Sequence, residues 1–67
     1  MILILTQRFY ERFTGEAHEV AVLFREHSIY EVRVDGEFYA TAENKVQAFD
    51  EVADIARLNN WTAICPM

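Results

Sequence analysis

The chain of 67 residues is short of four things. It has one cysteine, Cys65, so no disulfide can form within it, and that usage fits a reducing compartment. One proline and two glycines exclude a flexible linker or a low-complexity segment. Cations are few: 6 Lys plus Arg, with Lys45 the single lysine, stand against 11 acidic residues, for a formal net charge of −5. That balance disfavours non-specific nucleic-acid binding, which depends on neutralising phosphates with cations. Long apolar runs are missing too. Met1-Ile2-Leu3-Ile4-Leu5 stops at Thr6-Gln7-Arg8, far short of the roughly 20 residues that cross a bilayer. It also lacks the basic flank and small-residue cleavage site of a signal peptide. The expectation is a soluble, cytoplasmic protein.

What is present is an ordinary globular mix, 52% apolar and 25% charged, in one domain over residues 1–67. A domain of about 60 residues buries only roughly 60% of the surface its unfolded chain exposes. Small domains compensate with disulfides, a metal, an aromatic core or oligomerisation. The 5 Phe, 3 Tyr and 1 Trp suggest the aromatic core, and a homodimer would supply further burial.

Periodicity predicts an α+β fold. Val20, Val22 and Phe24 share one face of a strand, and Tyr30, Val32 and Val34 alternate with Glu31 and Arg33, the period-2 signature of half-buried strands. His27-Ser28 connects the two as a hairpin. Asp35-Gly36 then turns the chain into Glu37-Phe38-Tyr39-Ala40-Thr41. A three-residue loop, Val34-Asp35-Gly36, would pair Arg33 with Glu37 and Val32 with Phe38, giving one apolar face of Tyr30, Val32, Phe38 and Ala40. A two-residue loop would place Val34 opposite Glu37. The bulged, three-residue register is favoured because it separates apolar from charged residues.

An amphipathic helix is predicted over about residues 45–58. Asn44 and Gln47 form its capping pair, with Thr41 a competing cap, and Ala48, Phe49, Val52, Ile55 and Ala56 form its apolar face. Asn59-Asn60 would end it in a left-handed residue, and Trp61–Cys65 is β-capable. Residues 6–13 are ambiguous, since Phe9 and Phe13 share a face in a strand or a short helix. Thr6 and Gly15 lean toward a short helical turn. The sum is an antiparallel β-meander of three to four strands with the helix packed on one face.

The Val-Asp-Gly-Glu turn, the capped helix start and the closing Asn-Trp lie in the half from Ser28 to Trp61. This half resembles the strand-turn-strand-helix unit of small domains such as the sheet-type arm-binding domains of tyrosine recombinases. It departs from those DNA-binding versions in lacking their density of Lys and Arg, so no function is carried over.

Catalytic constellations are sparse, and no enzyme activity or cofactor is expected. His18 and His27 would stand at opposite ends of a strand, more than about 20 Å apart by strand rise, which leaves no shared metal site. They read as surface histidines near turns. Cys65 reads as a small core or interface residue. Two surfaces stand out instead. Glu43, Asp50, Glu51 and Asp54 form an acidic ridge along the helix, suited to a basic or nucleic-acid-binding surface on a partner protein. Arg8, Phe9, Tyr10 and Arg12, with Tyr39, form an alternative aromatic–arginine patch of interface-like composition.

The favoured expectation is a small acidic module that occupies a partner protein's surface. By size and charge, it resembles the inhibitory proteins of phages and mobile elements, anti-CRISPR proteins and nucleic-acid-charge mimics among them. The alternatives are a housekeeping homodimeric accessory subunit and a sheet-based nucleic-acid-binding domain, the latter disfavoured by charge.

Overall fold

Four consecutive hairpin-linked strands, one helix and a fifth strand build the protein, whose computed structural model describes residues 2–64. The strands are β1 (Ile2–Glu11), β2 (Ala17–Phe24), β3 (Tyr30–Val34), β4 (Glu37–Ala42) and β5 (Trp61–Ala63). The helix α1 runs over Lys45–Asn59. The sheet is antiparallel with order β4-β3-β2-β1-β5, one strand more than the meander predicted from sequence. Since β4 and β5 run the same way at opposite edges, α1 has to carry the chain back across one face. Four strand spacings span about 19 Å, and a 15-residue helix is about 22 Å long, so the helix bridges the sheet.

The helix begins and ends as its sequence dictates. The Gln47 backbone N–H donates to Asn44 Oδ1 at 2.9 Å, and the Gln47 side-chain oxygen accepts from the Glu43 N–H at 3.0 Å. At the other end Asn60 is left-handed (φ 58°), and its N–H is donated to the carbonyls of Ala56 and Arg57. Ala48, Val52 and Ile55 are buried against Phe9, Val20, Val22, Val32 and Ala42, which make up the core. Phe49, expected on the same face, is exposed instead. It lies one residue beyond Ala48, at the margin of the stripe, where the sheet no longer reaches it.

Two local expectations are corrected. Residues 6–13 form no helical turn: β1 extends to Glu11, pairing with β2 from Ile2↔Phe24 to Tyr10↔Ala17 with a bulge at Ile4. Pairing on both sides decides what the i, i+4 spacing of Phe9 and Phe13 left open. Phe9 enters the core, while Phe13 sits in the following turn, 92% exposed. The β3–β4 turn is the two-residue kind, with Val34↔Glu37 paired and both Asp35 (φ 53°) and Gly36 (φ 85°) left-handed. The irregularity falls later, where Arg33 pairs with Phe38 but Val32 pairs with Ala40, leaving Tyr39 as the extra residue. Arg33 therefore faces Phe38 rather than Glu37, and Phe38 leaves the core face.

Among the described residues, no helix is long and apolar enough to cross a membrane. Cys65, with the end of the Trp61–Cys65 segment, lies outside the described residues.

Candidate functional site

Alternation along each strand sorts its side chains between two faces. Tyr30, Val32 and Val34 turn toward α1, so Glu31 and Arg33 turn away. The same parity sends Arg8 and Tyr10 of β1, and Ala21 and Leu23 of β2, to the face without a helix, and the irregularity between Leu3 and Leu5 puts Leu3, opposite Leu23, there too. On β4 the bulge changes the count. Phe38, opposite Arg33, and Tyr39, next to the inward Ala40, both fall on that face, 62% and 48% exposed.

The uncovered face thus carries large apolar side chains around a charged centre. Glu31, only 4% exposed, is the one buried charged residue among the described residues. It is held by the Arg33 guanidinium, with Arg25 Nη1 at 3.6 Å from its other carboxylate oxygen. Nearer β5, Arg8 lies 3.6 Å from Glu19. Burying a carboxylate on the open side of a sheet is costly without such partners.

The aromatic–arginine patch read from sequence is only partly assembled. Arg8, Tyr10 and Tyr39 share the uncovered face, but Tyr39 is on β4, about 14 Å from β1 across three strand spacings. Phe9, expected there as an interface anchor, is buried in the core because it pairs with inward-facing His18. Arg12 sits exposed in the β1–β2 turn. In the acidic ridge, Asp50 and Glu43 are exposed and Glu51 and Asp54 half-buried. Arg57 Nη2 donates to Asp54 Oδ1 at 2.7 Å, so one of the four charges has a cation beside it.

A second cluster lies on the helix side, and sequence reasoning missed it. His18 is no surface histidine: its side chain is 15% exposed and stacks on the Trp61 indole, with ring centroids 4.1 Å apart. Its Nδ1 lies 2.8 Å from Asp35 Oδ2, and the Glu19 backbone N–H donates to Asp35 Oδ1 at 2.9 Å. The hydrogen bond to Asp35 raises the His18 pKa above its ordinary 6.5 against the opposing effect of burial, with the charges of Asp35, Glu16 and Glu11 adding to the rise. The same bond, then the Glu19 N–H, holds Asp35 below its ordinary 3.8. Glu11, Glu16 and His18 bring ligand atoms within 4.8 Å of one another. Reading 6–13 as a strand would have revealed this, since a β1–β2 hairpin sets Glu11 against Glu16 and Phe9 against His18.

No protein-family model, curated protein or solved structure matches the chain.

Proposed function

We propose that this protein is a small protein-binding module that occupies a partner's surface through the uncovered face of its sheet. The observation carrying this reading is that the face opposite α1 exposes Leu3, Phe38 and Tyr39 around the arginine-clamped Glu31, with Tyr10 exposed further along β1. Aromatic and arginine side chains around a desolvated centre are the composition of interface cores. Exposed phenylalanine and tyrosine held on strands also lose little conformational freedom when covered. The partner surface that fits is apolar and carries hydrogen-bond acceptors for the guanidinium groups.

An inhibitory role of the phage or mobile-element type is the finer version of this reading, supported by small size, net charge of −5 and a single lysine. As a mimic of nucleic-acid charge, the chain would instead present Glu43, Asp50, Glu51 and Asp54 to a basic surface. The Arg57 contact to Asp54 weakens that variant. Housekeeping self-association through a strand edge is the other reading: β4 carries the bulge at Tyr39, but among the described residues β5 pairs only with Phe9, Tyr10 and Glu11 of the ten-residue β1.

The test is affinity capture from the source cells with wild-type protein, followed by binding measurements with the purified partner. Phe38→Ser with Tyr39→Ser should keep the fold, because both side chains are exposed, and should lose binding by at least about tenfold, the scale of one interface anchor. Asp50→Asn, Glu51→Gln and Asp54→Asn together should leave binding within a few-fold. The reverse result would transfer the site to the helix ridge.

A further inference from the structure

We infer that Glu11, Glu16 and His18 form a binding site for a divalent transition-metal cation of the zinc class. The site goes beyond the protein-binding reading and lies apart from it, on the helix side of the sheet at the β1–β2 turn.

Strand geometry assembles the ligands. The Glu11 N–H donates to the Glu16 carbonyl at 2.8 Å, which sets the two carboxylates opposite each other at the end of the hairpin. His18 lies two residues beyond Glu16, on the same face. A left-handed Gly15 (φ 74°), whose N–H donates to the Glu11 carbonyl, closes the turn.

The orientation of His18 is what separates this cluster from ordinary surface carboxylates. A carboxylate can only accept, so the contact to Asp35 makes Nδ1 the proton-bearing nitrogen. In the neutral ring that a metal ion requires, Nε2 carries the lone pair, and Glu11 Oε2 is 4.0 Å from it, beyond hydrogen-bond range. The ligand atoms of Glu11, Glu16 and His18 all lie within 4.8 Å of one another. Carboxylate–imidazole–metal is a recurrent arrangement, in which the outer carboxylate fixes the ring and raises its basicity. Asp35 is that outer carboxylate, and the Trp61 stack locks the ring plane.

The dimensions fit. Nitrogen and oxygen ligands about 2.0–2.2 Å from a tetrahedral zinc ion lie roughly 3.4 Å apart. The donor atoms here, all within 4.8 Å of one another, reach that spacing by rotation of two glutamate carboxyl groups, one exposed and one half-buried. One imidazole and two carboxylates select a borderline cation over magnesium or calcium, which favour all-oxygen shells. Three protein ligands leave a fourth position open to water or an external ligand.

The single tryptophan provides the probe. Tag-free protein stripped with EDTA is titrated with Co²⁺, whose unpaired d electrons quench a neighbouring indole, and bound Co²⁺ is then displaced with Zn²⁺. Expected is saturable quenching at one equivalent, reversed by Zn²⁺. Glu16→Gln, at an exposed position, should keep the circular dichroism of wild type and weaken Co²⁺ at least about tenfold. His18→Gln should abolish the quench, and His27→Gln should leave it unchanged. Quenching that never saturates, wild-type affinity in Glu16→Gln, or loss in His27→Gln overturns the proposal.

Discussion

His18 and Asp35, 17 residues apart in the chain, meet side chain to side chain at 2.8 Å, tying the start of β2 to the tip of the β3–β4 turn. The turn can offer the carboxylate only because Asp35 accepts a left-handed backbone (φ 53°), a conformation open to Asp, Asn and Gly at little cost. Trp61 closes over the imidazole from the far side of β1. One contact thereby links three parts of the sheet that are distant in sequence.

Stability should follow the charge states of this pair. His18 is raised from 6.5, so its contribution is complete below 6.5 and is lost as pH rises through the raised value. Asp35 is lowered from 3.8, so its contribution is complete above 3.8 and is lost as pH falls through the lowered value. The contact therefore stabilises most between 3.8 and 6.5. Urea midpoints measured across this range with EDTA present should decline on the alkaline side for wild type. They should do so much less for Asp35→Asn, which fits the same backbone. An equal decline in the variant would show that other groups set the dependence.

The helix is docked through Val52, which is buried between Ala48 and Ile55 on its sheet-facing stripe. Val52→Asp would put an unpaired carboxylate there, at a cost of several kcal/mol, comparable to the roughly 5 kcal/mol that holds a small domain together. Calorimetry should find no cooperative transition near physiological temperature. A wild-type melting curve would mean that the helix packs by another face.

Asn60 ends α1 in the left-handed region, and a β-carbon without a polar group is disfavoured there. Asn60→Ala should cost about 1 kcal/mol, while Asn60→Gly should be neutral or slightly stabilising. Thermal denaturation distinguishes them, and equal losses in both would point to the Asn60 side chain rather than its backbone.

On the uncovered face, Arg33→Ala should destabilise by about 1–3 kcal/mol, because it strips the nearest partner from a buried carboxylate and leaves only Arg25. Glu31→Leu combined with Arg33→Leu should recover most of that loss, since replacing both members of a buried pair is often neutral. Urea unfolding of the single and double variants tests this. A double variant no more stable than Arg33→Ala would mean that the pair also fixes the register of β3.

Much of the fold was legible in residue order. The alternation of Val20/Val22 and of Tyr30/Val32/Val34 located β2 and β3, and the Asn44–Gln47 pair and Asn60 bracketed the helix. These signals are local: each needs only neighbours in sequence. The β1 assignment leaned the wrong way because the spacing of Phe9 and Phe13 satisfies both periods, and only pairing with β2 and β5 resolves it. The bulge at Tyr39 was likewise invisible, because an extra residue exists only relative to a partner strand. The same slip hid the aromatic character of the uncovered face, since the three-residue loop puts Phe38 inward. The Glu11–Glu16–His18 cluster was missed for a related reason. Its members are five and seven residues apart in the chain and meet only across the hairpin, which a helical turn over residues 6–13 would not form.

The position of β5 beyond β1 has a consequence for how the molecule comes together. The three hairpins close loops of a few residues, whereas joining Ala63 to Phe9 closes one roughly ten times longer, an added entropic cost of about 2 kcal/mol. The β1–β5 seam is then the step that waits for α1 to form and settle on the other strands. Even once it closes, the described part of β5 pairs with only Phe9, Tyr10 and Glu11, so the outer edge of β1 ahead of them stays a template for any extended chain nearby. The hazard for this protein in a crowded cell therefore outlasts its folding.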